Sequence, residues 1–278
     1  MLKRGDFLPQ ISEYLHSLFS LEGKVILMTG AAGGIGEALT RGFAQAGGTV
    51  ALCDQNLARC TEIKDDLAKN GITAEAFELN VTSNDSIRFC VGAILERFGR
   101  IDILVNCAGI NKREGFLDVK EETYDRIMNV NLKGVFMLSQ EVVKHMISRG
   151  GGGNIINIGS HNDEAMLGGC AVYGATKSAV RALTRSMAVE WAKYGIRANA
   201  ISPGHIITPL TTVTWEHPTR STYLKDRIAM RRPGNPEELI GIAIMLASDA
   251  SSYMSWQAYH VDGGCLCGGA PWDFDTQY

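Results

Sequence analysis

Several things are missing from this chain, and each absence removes a class of function. No apolar run in its 278 residues reaches the ~20 needed to cross a bilayer. The formal net charge is -3, without the basic excess that nucleic acid or an anionic membrane would require, so neither is expected as a partner. Cysteines number seven, an odd count scattered at 53, 60, 90, 107, 170, 265 and 267, which makes no disulfide framework and suits a reducing cytosol. Cys265-Leu266-Cys267 is the one close pair; with no histidine or cysteine partner at zinc-site spacing, no metal is expected. The start, Met1-Leu2-Lys3-Arg4-Gly5-Asp6, lacks a secretory hydrophobic segment, so the cytoplasm is the expected setting.

What is present belongs to an ordinary globular protein, 45% hydrophobic and 21% charged, long enough for one large α/β domain. Before it, in residues 1–20, Ile11, Tyr14, Leu15, Leu18 and Phe19 recur at the spacing of one apolar helix face. That face is expected to pack on the body of the protein or on a neighbouring subunit.

Lys24–Met28 reads as a buried parallel strand running into Thr29-Gly30-Ala31-Ala32-Gly33-Gly34-Ile35-Gly36. Glycines let backbone N–H groups come close to a ligand, and a helix over 35–46 aims its positive end at the same spot. A strand before and an amphipathic helix after make this a pyrophosphate cradle. The second strand, 49–53, ends at Asp54, at the interval where an acidic residue meets an adenosine ribose. A carboxylate there accepts from a 2′-hydroxyl and repels a 2′-phosphate, and neither Gly33 nor Gln55 offers positive charge, so NAD is expected over NADP. The alternative for Asp54 is a plain strand-end turn residue.

Beyond Asp54, helical and strand patterns alternate: helix 57–69, strand 73–79, helix 86–98, strand 101–105, helix 124–148, strand 154–159, helix 171–194, strand 196–201, helix 236–247, strand 257–261. Such alternation predicts βαβ units and a doubly wound parallel sheet with helices on both faces. Strand 154–159 delivers Ser160 to the carboxyl end of the sheet, where open α/β folds bind ligands. In helix 171–194, Tyr173 and Lys177 stand one turn apart on one face. A phenol is a poor base at neutral pH, whereas an ammonium a few ångströms away favours its phenolate. The pair is shaped for moving one proton, although Tyr and Lys at this spacing also occur as snorkelling surface pairs.

These motifs occur together and in order over 22–264: Thr29-Gly30 with Gly34 and Gly36, Asn106-Cys107-Ala108-Gly109, Asn129-Val130-Asn131, Ser160, Tyr173 with Lys177, Pro203-Gly204 with Thr208, and Val261-Asp262-Gly263-Gly264. In them the chain resembles the short-chain dehydrogenase/reductase superfamily in its single-domain form. Cys107 replaces a usual asparagine, and Asn80 stands where an aspartate usually meets the adenine.

The resemblance implies a Rossmann-type α/β fold in one domain, an NAD(P)-dependent oxidoreductase acting on CH–OH groups, and a homotetramer. It implies a catalytic tetrad of Asn131, Ser160, Tyr173 and Lys177: Tyr173 the acid/base, Ser160 steadying the substrate oxygen, Lys177 lowering the phenol pKa and binding the nicotinamide ribose, Asn131 holding a water. Cofactor contacts implied are Gly30, Gly34, Ile35, Gly36, Asp54, Asn80, Val81, Asn106, Ala108, Gly109, Tyr173, Lys177, Pro203, Gly204, Ile206 and Thr208. Ser255-Trp256 falls where relatives more often carry a small residue such as glycine.

Residues 205–232 read as a long substrate loop with short helical pieces, and residues 265–278 as a tail carrying Trp272, Phe274 and Tyr278. Candidate substrate contacts are Lys112, Arg113, His161, Met166, His205 and Trp215. The wording around Gly109–Glu114 and Ile155–Ser160 resembles members that oxidise gluconate-type sugar acids and polyols, where Lys112 or Arg113 would pair with a carboxylate. Solvated loop charges are the alternative. Met166 and Trp215 leave open a bulkier hydrophobic alcohol or ketone, as in natural-product tailoring. A cofactor-binding sensor without turnover is the reading of another class, and the intact Ser160, Tyr173 and Lys177 argue against it.

Overall fold

The structure, a computed structural model, describes residues 8–209 and 211–268; the tail aromatics Trp272, Phe274 and Tyr278 lie outside the described residues. Seven strands form one parallel sheet: β1 Val25–Thr29, β2 Thr49–Asp54, β3 Ala74–Glu78, β4 Ile103–Asn106, β5 Gly153–Ile158, β6 Ile196–Pro203 and β7 Ala258–Val261. Their order is β3-β2-β1-β4-β5-β6-β7. The chain winds outward from β1 to β3, then returns to β4 on the other side of β1. That reversal opens a crevice at the carboxyl ends of β1 and β4.

The near-continuous apolar wording of β1 follows from burial on both faces. Val25 and Leu27 enter one layer of core with Ile94, Leu138, Val142 and Met187, from α4 (Asn84–Phe98), α6 (Gly134–Arg149) and α7 (Ala171–Trp191). Ile26 and Met28 enter the other, with Leu39 and Phe43 of α2 (Gly34–Gln45), Ile63 and Leu67 of α3 (Leu57–Ala68), and Leu246 of α10 (Ile240–Ala247). Phe43 is fully buried there, worth about 2–3 kcal/mol in apolar area removed from water.

Some segments differ from their sequence expectation. The helix expected over 124–148 starts at Glu121 as α5 (Glu121–Met128), loosens into a π-turn at Asn129–Lys133, and resumes as α6. Hydrophobic periodicity does not register one extra residue per turn. Helix α7 ends at Trp191 in a 3-10 turn, Ala192–Tyr194, closed by left-handed Gly195. Within 205–232 lie two short helices, α8 (Thr212–Glu216) and α9 (Pro218–Lys225). Trp256 has φ +72, a left-handed conformation that glycine adopts without strain, and the Arg185 guanidinium stacks 5.1 Å from its ring centre.

Helix α1 (Leu8–Phe19) touches the Asp249–Ser251 turn. On its apolar face Leu18 is half-buried, while Tyr14 and Leu15 are 64% and 47% exposed.

Candidate active site

Loops after β1, β2, β4, β5 and β6 surround a cleft of ≈ 690 Å³. Its walls carry Gly30, Gly34, Ile35, Gly36, Asp54, Val81, Ala108 and Gly109, and also Ser160, Tyr173, Lys177, Pro203, Gly204, Ile206 and Thr208. The fold therefore gathers into one space residues drawn from Gly30 to Thr211.

The glycines are there because side chains would not fit. A Cβ on Gly36 would lie 1.9 Å from the Gly30 carbonyl oxygen, and one on Gly30, whose φ is +65, would lie 2.8 Å from Ala108 Cα. Thr29 pins these turns together: its hydroxyl donates to the Val105 carbonyl and accepts from the Cys107 and Ala108 amides at 2.9 and 3.0 Å. No side chain caps α2 at Gly33, so its first-turn N–H groups face the cleft as an anion site. A pyrophosphate fits this cradle.

Asp54 is bonded as a strand-end turn residue and stands in the cleft wall. Its carboxylate accepts from the Ala32 amide at 3.2 Å and the Asn56 amide at 3.0 Å, which ties the end of β2 to the glycine turn, and it also lines the cleft.

Two residues expected at the cofactor lie elsewhere. Asn106 is buried beneath the cleft, donating to Ser139 Oγ and Asn157 Oδ1 at 2.9 and 2.8 Å. A side chain at the end of β4 alternates inward, where the buried amides of β4 and β5 satisfy one another. Asn80 is absent from the walls; its oxygen accepts from the amide and hydroxyl of Thr82, an Asx turn that leaves Val81 and Thr82 to face the cleft.

Ser160, 6% exposed, sits just past β5, and its hydroxyl accepts from the Asn162 amide. Lys177 is buried, donates to the Ile158 carbonyl at 2.7 Å, and holds its nitrogen 5.5 Å from the centre of the Tyr173 ring. Burial brings Lys177 down to about 8. Burial also pushes the Tyr173 phenol up to about 12, against the pull of a hydrogen bond with Ser160. In the chain alone withdrawal from water outweighs that bond, and the phenol stands above its ordinary value rather than below it.

Asn131 lies in the π-turn, 1% exposed, and does not line the cleft. Its amide pairs with the Ile110 backbone in both directions, at 2.8 and 2.9 Å, and donates to Thr176. A Cβ on Gly109 would meet Asn131 Oδ1 at 3.5 Å and Lys177 Nζ at 3.6 Å, so both polar heads converge behind Gly109.

The substrate candidates separate. Lys112 is tied to Glu114 and to Thr123. Arg113 is exposed and, among the described residues, has no ion-pair partner, while its charge is felt at His205. His161, His205 and Trp215 meet edge to face in succession, ring centres 4.6 and 5.9 Å apart, and none of them lines the cleft. Burial holds His205 down to about 4. Met166 lies across Gly174, where a Cβ would come 2.2 Å from its sulfur, at the first turn of α7.

Three further residues, not singled out as candidate contacts from the sequence, belong to the site. Asn111 lines the cleft with Oδ1 buried and unpartnered, and Arg126 of α5 also lines it. Asp163 is buried behind Ser160, accepting from Ser202 Oγ at 2.7 Å and lying 3.0 Å from His260 Nε2. The polar clusters at 111–114 and 161–164 were the only signal of Asn111 and Asp163; Arg126 gave none.

Residues 30–265 match the family described as enoyl-(acyl carrier protein) reductase. The 2-dehydro-3-deoxy-D-gluconate 5-dehydrogenase of Escherichia coli strain K12 is 41% identical over 90% of this chain and 98% of its own. The chain belongs to the short-chain dehydrogenase/reductase superfamily. A 3-oxoacyl-acyl-carrier-protein reductase of Thermotoga maritima is also 41% identical, over 88% of this chain and 99% of its own. Among solved short-chain dehydrogenase/reductase structures, a gluconate 5-dehydrogenase from Burkholderia cenocepacia in complex with NADP and tartrate superposes with a TM-score of 0.88 at 38% identity, covering 91% of this chain and 99% of that one. The chain is accordingly a nicotinamide-dependent oxidoreductase that interconverts secondary alcohols and ketones.

Proposed function

We propose that the chain is an NAD-linked dehydrogenase for a gluconate-type sugar acid, working through Ser160, Tyr173 and Lys177. The observation that carries this is the pairing, in one cleft, of a side-chain-free anion cradle with a buried lysine beside a phenol. A bound nicotinamide supplies the hydride acceptor or donor. Ser160 and Tyr173 hold the substrate oxygen, and Tyr173 takes its proton in oxidation or returns one in reduction. The Lys177 ammonium stabilises the phenolate, and Asn131 braces the loop at Ile110 behind it.

Asp54 supports NAD. Ala32, Gly33 and Gln55 beside it are uncharged, and the arginines of α2 and α3, Arg41 and Arg59, are held by Glu37, Asp66 and Glu62. The unpaired Arg113 and the orphaned Asn111 oxygen support a polar, carboxylate-bearing substrate. Exposed Tyr124, Phe136 and Val189 on α5, α6 and α7 support assembly into a homotetramer. All seven cysteines are free, in keeping with the cytoplasm.

The similarity to a 3-oxoacyl reductase favours a second reading, a carrier-linked or hydrophobic ketone. Initial rates with gluconate-type acids, polyols and 3-oxoacyl thioesters, each with NAD and NADP, decide between them. Preference for NADP would refute the role given to Asp54, and preference for the thioester the role given to Arg113. Tyr173→Phe should abolish turnover while leaving NADH binding within about twofold; substantial residual activity would remove Tyr173 from the chemistry.

A further inference from the structure

His161, His205 and Cys265 come from far-apart stretches of sequence, just past β5, β6 and β7, and none is absorbed by the chemistry above. The carboxyl edge of the sheet brings them together. Their ligand atoms all lie within 4.8 Å of one another. The two imidazole rings cross at 63° with centres 4.6 Å apart, and the Trp215 ring meets His205 edge to face with centres 5.9 Å apart.

His161 is already oriented. Its Nδ1 lies 3.3 Å from the carbonyl oxygen of Pro203, which can only accept, so Nδ1 carries the proton and Nε2 the lone pair. A histidine whose far nitrogen donates to a backbone carbonyl is in the arrangement metal ligands adopt. Cys265 is presented by a turn in which the Asp262 carboxylate accepts from the Gly264 and Leu266 amides, each at 2.9 Å. Asp262 also places negative charge near both rings, set at His205 against the larger effect of the Arg113 positive charge.

We propose that His161, His205 and Cys265 form a binding site for a divalent d-block cation of the Zn²⁺ class. Two imidazoles and a thiolate are borderline-to-soft donors, which selects against Mg²⁺ and Ca²⁺. Bonds of ~2.0–2.3 Å in a tetrahedral set place donor atoms ~3.5 Å apart, so the observed cluster needs a closure of roughly 1 Å. Side-chain rotation at half-buried His205 and Cys265 supplies that. Three protein ligands leave a fourth position for water or an oxygen ligand.

Ser160 and Gly204, the residues immediately before His161 and His205, line the cleft, so the open position adjoins the substrate end. The second cluster of possible ligands, Asp163, Glu164 and His260, lacks this freedom: Asp163 is taken by Ser202 and His260, and Glu164 by Arg181. Sequence spacing gave no sign of the site, because its ligands share no local motif.

The site goes beyond the proposed activity, and its test does not depend on turnover. The full chain, stripped with a chelator under reducing conditions, is titrated with Co²⁺ and read by absorbance. One equivalent should bind, with tetrahedral d–d bands and a thiolate-to-cobalt charge-transfer band, and Zn²⁺ should displace it. Cys265→Ser should lose the charge-transfer band; His161→Ala and His205→Ala should weaken binding by ~100-fold or more. Cys267→Ser, which alters the neighbouring exposed thiol, should keep both spectrum and affinity. NADH binding by each variant reports that it is folded, with His161→Asn or His205→Asn replacing an alanine variant that is not and Cys265→Ala replacing Cys265→Ser. A charge-transfer band that survives in Cys265→Ser, disappears in Cys267→Ser, or never forms would overturn the assignment.

Discussion

The Lys177 ammonium lies 5.5 Å from the centre of the Tyr173 ring, yet its hydrogen bond goes to the carbonyl of Ile158, at 2.7 Å. The lysine is thus anchored to β5, and the phenol one turn earlier on α7 meets its field without bonding to it. Both groups are withdrawn from water, so both resist their charged forms.

This leaves a signature in stability. Lys177 falls to about 8 in the folded chain, from an ordinary 10.5. Below both values each state is protonated and the native state bears the full penalty of a buried cation. Between about 8 and 10.5 the folded chain has released its proton while the unfolded chain keeps it, so this group's contribution to stability rises with pH across that window. The buried Tyr173 acts with opposite sign only above its ordinary value of 10.0. Urea midpoints of wild type and Lys177→Met should therefore differ by an amount that drifts in favour of wild type from about pH 8 upward. A constant offset across the window would show that Lys177 titrates normally.

Gly36 has no freedom to become alanine. The added Cβ would stand 1.9 Å from the Gly30 oxygen, a backbone atom that cannot rotate away. Relief requires moving the first turn of α2 off β1, which opens the anion cradle. Gly36→Ala should cost ~1–3 kcal/mol in stability and weaken NADH at least ~10-fold by calorimetric titration. Unchanged cofactor affinity would mean the cradle tolerates a displaced helix.

Much of this was readable beforehand because the information is local. Alternating apolar strands and helix faces locate β1 to β7, and the glycine turn announces its own tight approach. What escaped depends on the third dimension. The inward rotation of Asn106, the turn bonds of Asn80 and the π-turn at Asn129–Lys133 are settled by neighbours distant in sequence. Local spacing likewise gave Lys177 a helical neighbour but not the depth at which burial holds Lys177 down and Tyr173 up.

Asp163 is the buried carboxylate that holds the Ser160 turn to the last two strands. Its side chain is inaccessible, bonded to Ser202 of β6 and beside His260 of β7. Two charge-assisted hydrogen bonds contribute about 1.5–3 kcal/mol each, reduced by the cost of burying the charge. Asp163→Ala should lower stability by about 3–5 kcal/mol in urea denaturation, and Asp163→Asn by less, since its oxygen still accepts from Ser202. Equal losses would assign the effect to packing.

Arg113 and Lys112 stand side by side in one loop, but among the described residues only Lys112 has a carboxylate of its own, Glu114. A substrate carboxylate would compete with Glu114 for the lysine and meets no competitor at the arginine. Arg113→Ala should therefore raise KM for a gluconate-type acid by roughly 10- to 150-fold, the equivalent of one charge-assisted hydrogen bond, with kcat little changed. Lys112→Ala should shift KM by less than about threefold. Rates with an uncharged polyol provide the control: they should be insensitive to both substitutions, and a comparable loss with the polyol would place Arg113 in loop structure instead of substrate binding.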